Sequence, residues 1–299
     1  METYPVPTGE HPHDVAPAAD GKRVWYTAQA TGALGLLDPV TGKVETIPLG
    51  SGSSPHGVIV GPDGAAWATD TGLNAIVRVD EESREVTAYP LPGENANLNT
   101  AAFDTEGVLW FTGQNGVVGR LDPRAEHPVV EVIEAPRGRG PYGITGTPDG
   151  EIYFVSLAGN YLGHIKQSGD GFHVEELDPP TPGQGARRVW ADSMGVLWIS
   201  EWNAGQVARF DPARQAWTEW RLPGEAPQAY AVYVDDKDDV WLSDFAANAL
   251  VRFDPTTEQF VTLPLPDEGA RVRQIHGRPG EVWGAESGAD KLVVVRTTC

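Results

Sequence analysis

Short apolar runs alternate with turn residues from one end of the chain to the other. The runs are rich in Val, Ile, Trp, Tyr and Phe, and clusters of Gly, Pro, Asn and Asp bound them, which is the pattern of β-strands. No stretch of helical length carries a sustained helical period. One unit recurs seven times: a small-residue turn, an apolar strand, a turn such as Pro62-Asp63-Gly64, an aromatic strand, a third strand ending near Arg-x-Asp-Pro, and a fourth like Thr87-Ala88-Tyr89-Pro90-Leu91-Pro92. The aromatic positions Trp25, Trp67, Trp110, Tyr153, Trp198, Trp241 and Trp283 are spaced by 42, 43, 43, 45, 43 and 42 residues. A steady period of about 40–45 residues holding four short strands marks a propeller blade. The sequence therefore predicts an all-β fold, a seven-bladed β-propeller of four-stranded antiparallel blades, as a single domain over residues 1–299. The aromatic set is expected to pack between blades rather than to hold a cofactor.

The seventh unit lacks its fourth strand, because the chain stops soon after Lys291-Leu-Val-Val-Val. The missing piece stands at the other end, where Glu2-Thr3-Tyr4-Pro5-Val6-Pro7 matches the segment from Val86 to Pro92. The N-terminal strand is expected to complete the last blade, closing the ring and covering a sheet edge.

Two sets of positions should meet on one face, where the first strand of each blade begins and the second ends. The first set is His13, His56, Asn99, Tyr142, Arg187, Tyr230 and Arg273, spaced by 43, 43, 43, 45, 43 and 43 residues. The second is Ala28, Asp70, Gly113, Ser156, Glu201, Asp244 and Glu286. Both are polar and differ from blade to blade, while the strand interiors are nearly uniform. A scaffold that varies at one polar mouth places a site in a funnel there. Blades five to seven supply Arg187, Arg188, Glu201, Tyr230, Asp244, Arg271, Arg273 and Glu286, and blades one and two supply His13, Asp14, His56 and Asp70. Clustered Arg, carboxylate and Tyr can hold an anionic or carbonyl group and move a proton. The same charges can instead form a salt-bridge network that seals the channel, and the histidines can simply cap turns.

Charge narrows the partners. With 42 acidic against 22 basic residues the chain carries a formal charge of −20, which disfavours nucleic acid and anionic membranes. The lone cysteine, Cys299, precludes an intramolecular disulfide and a cysteine metal cage. The start METYPVPTGE has no basic or apolar signal region, and no run approaches membrane-spanning length, so a cytoplasmic monomer is expected. Asn74, Asn160, Asn248 and the repeated Asp-Pro pairs read as turns, and Gly138-Arg139-Gly140 as a loop, since no helix follows it. No Gly-x-Ser-x-Gly or His-Glu-x-x-His occurs.

The phrases Ser54-Pro-His-Gly-Val, Pro141-Tyr-Gly-Ile-Thr, Gly107-Val-Leu-Trp-Phe-Thr, Val118-Gly-Arg-Leu and Thr87-Ala-Tyr-Pro-Leu-Pro resemble the streptogramin B lyase (virginiamycin B lyase) family across essentially the whole chain. The resemblance implies a seven-bladed propeller that opens a cyclic depsipeptide by elimination at its ester, with Mg²⁺, using histidines and glutamates of its last two blades. At those positions this chain has Tyr230 within Gln228-Ala-Tyr-Ala, and Arg271 and Arg273 where the family has an acid and a histidine; Glu286 falls at, or within one place of, the family's acid after the last aromatic strand.

These readings converge on a lyase-like enzyme acting on a small molecule or cyclic peptide. Tyr230 is expected as acid or base, Glu286 and Asp244 as carboxylates, Arg273 as an anion or carbonyl holder, and Arg187, Tyr142, Glu201, His56, His13 and Asp70 as further binding positions. Two other readings stand beside it: a non-catalytic binding propeller, and a hydrolase or lactonase working through His13, His56 and Asp70.

Overall fold

The computed structural model describes residues 1–169 and 171–297; Cys299 lies outside the described residues. Its 28 strands, numbered β1 to β28 in chain order, form seven four-stranded antiparallel sheets. Each sheet takes four consecutive strands except the last, whose order is β1-β28-β27-β26. There β1 (Glu2–Pro5) pairs with β28 (Lys291–Arg296), Tyr4 opposite Leu292. Asp290 fastens this closure, accepting the Gly9 and His11 amides on its two carboxylate oxygens, each at 2.8 Å. The expected propeller and its closure are both present.

The cores lie between blades, as the aromatic period predicts. All seven aromatic positions are buried, and the largest, the six tryptophans, are at most 2% exposed. One cluster joins Val15 and Tyr26 of the first blade to Trp283 and Leu292 of the last, so closure buries apolar surface as well as a sheet edge. The turn acids explain how an indole can be buried without an orphaned donor. Trp67 donates to Asp63 at 3.0 Å, Trp110 to Asp104 at 2.8 Å, Trp198 to Asp192 at 3.1 Å and Trp241 to Asp235 at 2.8 Å. In the first blade the turn acid, Asp20, is taken by Arg23 instead, and the Trp25 indole nitrogen is unpartnered.

The innermost strands are β2 (Pro12–Pro17), β6 (Pro55–Val60), β10 (Leu98–Phe103), β14 (Pro141–Gly146), β18 (Ala186–Ala191), β22 (Ala229–Val234) and β26 (Val272–Arg278). Each breaks register with its neighbour near its start. In every case the break includes the first-set residue: His13, His56, Asn99, Tyr142, Arg187, Tyr230 or Arg273. A β-bulge adds a residue to one strand and re-aims its side chain. The seven varied positions are therefore the residues that seven bulges release from the ladder.

A hydroxyl on the second strand secures most of the bulges. Thr69 Oγ1 accepts the Gly57 amide at 3.0 Å and donates to the Asn99 carbonyl of the next blade at 2.6 Å. Thr27 does the same between the Asp14 amide and the His56 carbonyl, and Ser200 between the Arg188 amide and the Tyr230 carbonyl. Thr112 bridges from the Thr100 amide to the Tyr142 carbonyl. Blades four and seven carry Val155 and Ala285 at this place, where no such bridge can form.

Candidate functional site

The bulge residues meet around the channel. The rings of His13 and His56 lie 3.9 Å apart, and Tyr142 meets the edge of His56 at 6.5 Å. The hydroxyls of Tyr142 and Tyr230 are 2.6 Å apart. Arg187 donates to the Tyr142 hydroxyl at 3.3 Å, and its guanidinium packs 4.6 Å from the Tyr230 ring and 4.7 Å from the Trp202 ring. Arg273 approaches the same Tyr230 ring at 5.8 Å and donates from Nε to Ser287 at 2.9 Å. Asn99 faces His56 Nε2 at 3.4 Å and accepts His56 Nδ1 on its carbonyl at 2.9 Å. The first set thus forms one constellation drawn from six successive blades and closed by the seventh.

Several of the residues that follow a first-set position, Asp14, Thr100, Gly143, Arg188 and Gln274, border one small cavity inside the ring. His13 Nδ1 lies 2.8 Å from Asp14 Oδ1, and Arg188 reaches across from blade five to the same oxygen at 2.9 Å. Gln274 accepts the Val15 amide at 2.9 Å. Beneath the ion pair is a cavity of about 40 Å³, lined by Asp14, Thr100, Gly143, Arg188, Trp190 and Gln274 among others. The mouth is filled rather than an open funnel: His13, His56, Tyr142 and Tyr230 are all at most 7% exposed. Part of the expected sealing network is real, but Asp14 and Arg188 make it.

Burial sets the protonation of this group. It holds the His13 imidazole well below the usual histidine range, and the positive charges of Arg188 and Arg273 push the same way. His56 is also held well below, by burial and then by the neighbouring His13. Both imidazoles are neutral at pH 7. Burial pushes the Asp14 carboxyl up against the opposing pull of Arg188. Tyr142 is pushed up to about 12, by burial and then by Tyr230.

The second set does not join this constellation. Asp70 accepts the Ser54 and Leu73 amides, both at 2.9 Å, and the Ser53 hydroxyl at 2.5 Å. Asp244 accepts the Gln228, Ala246 and Ala247 amides at 2.9, 3.0 and 3.3 Å. Both carboxylates tie loops of their own blade. Glu201 is buried and bonded to Gln206 at 2.5 Å, and burial pushes it up to about 8. Glu286 is buried with neither carboxyl oxygen partnered; burial, then the Asp267 charge, raises it to about 7. The register gives the reason. Asp70, Glu201, Asp244 and Glu286 stand opposite Pro55, Ala186, Ala229 and Val272, the residues before the bulges. Cross-strand partners share a face of the sheet, and the bulge residue is aimed away from it.

Two aromatic residues of the site escaped the sequence reading. Phe245 stacks on Tyr230 at 4.8 Å with rings 9° apart, and Trp202 meets Tyr230 at 5.7 Å and Phe245 at 5.2 Å. Both directly follow a second-set residue, Glu201 or Asp244, so the same repeat alignment read one place further on exposes them.

Among the described residues, the magnesium ion that the family resemblance implies finds no matching donors. Mg²⁺ requires several oxygen ligands in near-octahedral array. At the last two blades this chain presents Tyr230 flanked by the guanidiniums of Arg187 and Arg273, while Glu286 is buried apart. His13, Asp14 and His56 offer ligand atoms within 4.8 Å of one another. That set has two nitrogen donors and one carboxylate already held by Arg188, which is wrong for a hard cation.

Comparison with known proteins agrees with this architecture. A virginiamycin B lyase of Nocardia farcinica is 29% identical over 212 residues, covering 70% of this chain and 69% of that protein. A gluconolactonase of Zymomonas mobilis is 33% identical over 162 residues, 47% of this chain and 43% of that protein. A virginiamycin B lyase structure from Staphylococcus aureus superposes with a TM-score of 0.90 at 20% identity, covering 99% of both chains. A streptogramin B lyase structure gives 0.88 at 22% identity, covering 98% of this chain and 97% of that one. The model of the virginiamycin B lyase family matches residues 1–253, and the chain belongs to that family.

Proposed function

We propose that this protein is a small-molecule enzyme of the C–O lyase type that works through its bulge residues and not through a divalent cation. The observation that carries the reading is a neutral, buried His13, bonded at Nδ1 to Asp14, in one constellation with the paired hydroxyls of Tyr142 and Tyr230 under Arg187. Asp14 fixes the tautomer and leaves Nε2 as the basic nitrogen. In the proposed step, Nε2 takes a proton α to a substrate carbonyl. The charge growing on the carbonyl oxygen is met by the tyrosine hydroxyls and Arg187. The electron pair then forms the carbon–carbon double bond, and the β C–O bond breaks with its pair on the departing carboxylate. Tyr230 is a donor in this scheme, not the base, and Glu286 and Asp244 take no part.

The test is incubation with a streptogramin B depsipeptide and with a panel of lactones and linear depsipeptides, read by liquid chromatography and mass spectrometry. Elimination in a ring gives a shifted peak of unchanged mass with new dehydroamino-acid absorbance, and His13→Asn abolishes it. Hydrolysis adds one water and would replace the lyase reading by a lactonase one. A second reading, a binding propeller without turnover, is favoured by the Asp14–Arg188 pair across the channel and the near-complete burial of the mouth. It is selected if the whole panel is untouched.

A further inference from the structure

We infer that the mouth receives its ligand through a carboxylate, held between Arg187 and Arg273 and flanked by Tyr230, Trp202 and Phe245. The inference rests on the proposed reading for the place of the site, but it concerns binding and holds whether or not turnover follows. In a chain with 42 acids to 22 bases a cation finds a partner easily. Arg23, Arg78, Arg84, Arg137, Arg188 and Arg296, for example, each pair with a carboxylate. Among the described residues Arg187 and Arg273 make no ion pair, although they press on the same tyrosine ring from 4.6 and 5.8 Å. The Arg187 Nε is buried with no hydrogen-bond partner at all.

The nearby acids do not supply the missing charge. Asp244 is occupied by three amides, Glu201 by Gln206, and Glu286 is buried without a polar partner. Two like charges against one ring repel, and an unpaired buried donor is costly. Such an arrangement suits an anion arriving from outside, and the planar fork of arginine fits a carboxylate in two-point fashion. Both arginines, Trp202 and Phe245 are part-exposed, so the ligand meets cation and aromatic wall together. Stacked aromatic faces favour a carboxylate borne on a flat, unsaturated or aromatic frame. An anion at this place departs from the family resemblance, which implies a requirement for Mg²⁺.

The experiment is isothermal titration of the full chain with benzoate, with its neutral isostere benzamide, and with N-acetylphenylalanine as a peptide-like acid. Benzoate is expected to bind at least about tenfold more tightly than benzamide, to weaken as sodium chloride is raised, and to lose about tenfold or more in Arg187→Met and in Arg273→Gln. Thermal unfolding checks that each variant is folded. Arg273→Gln removes a bond to Ser287 and a 5.8 Å contact with the Tyr230 ring but no ion pair, so it keeps the test open if the Arg187 variant does not fold. Tighter binding of N-acetylphenylalanine than of benzoate identifies the end of a peptide as the source of the carboxylate; the reverse order identifies a small acid. Equal binding of benzoate and benzamide, no binding of either acid at millimolar concentration, or wild-type affinity in the folded Arg273 variant overturns the inference.

Discussion

Asp14 of the first blade and Arg188 of the fifth meet inside the channel at 2.9 Å, although 174 residues separate them in sequence. Their side chains are 3% and 6% exposed, so the pair forms out of contact with bulk water. It joins two blades that share no sheet, and it holds the carboxylate that orients His13.

Removing one partner strands the other. Arg188→Met leaves a buried carboxylate without its cation, a change that typically costs about 3–5 kcal/mol. Chemical denaturation should show a loss of that size. The double variant Asp14→Asn/Arg188→Met should recover part of it, because neither charge then needs a partner. A fully additive double variant would show that the pair contributes nothing as a pair.

The bridging hydroxyls support a second prediction. Thr69→Val removes the donor to the Asn99 carbonyl and the acceptor of the Gly57 amide while keeping the shape of the side chain. Two buried backbone groups lose a partner, and a destabilisation of about 1–3 kcal/mol is expected. The Asn99 carbonyl also holds His56 Nδ1, so the His56 ring resonances should move as well. Unchanged stability together with unchanged histidine resonances would show that the bulge holds without its hydroxyl.

Blade number, strand order and ring closure were legible because each rests on a local, repeated signal: an aromatic position in every repeat, turn residues between the strands, and an N-terminal strand that copies a fourth strand. The convergence of the first set around the channel was legible for the same reason, since a bulge recurs at one register. The second set was misplaced in space. Asp70 and Glu286 stand at the correct end of their blade, but facing the mouth or facing a loop is a difference of one residue in a period of two. A bulge resets that period without a mark in the sequence. Nor could spacing show that Arg188 pairs with Asp14, because the contact crosses the ring.

Glu286 predicts a slope of stability with pH. Its folded-state value, raised to about 7, lies above the value of about 4.3 for an unfolded glutamate. The folded protein therefore holds a proton that the unfolded chain has lost. The contribution is full below about pH 4.3 and is lost as pH rises through 7, amounting to roughly 4 kcal/mol at most. Glu286→Gln should remove this slope, leaving the variant relatively more stable at pH 8 than at pH 5. Denaturation curves at the two pH values decide, and parallel losses at both would show that Glu286 does not titrate in this range.

The buried imidazoles act on the acid side with the opposite sign. His13 and His56 both have folded-state values well below the usual range of about 6.5, so below that pH the unfolded chain takes up protons that the folded protein refuses. Stability from these groups is present above about pH 6.5 and is lost as pH falls toward their folded values. Between about pH 4.3 and 6.5 this effect opposes that of Glu286, so the two offset in part and each is read as the difference between a variant and the wild type. His56→Gln keeps a hydrogen-bonding side chain but cannot take up the proton, so its unfolding midpoint should fall less than that of the wild type between pH 7 and pH 5. Proton resonances of the histidine rings, followed over the same range, should show His13 and His56 remaining neutral in the folded protein. A His13 ring that becomes charged near pH 6.5 would remove both this acid limb and the role of His13 as a base held ready at neutral pH.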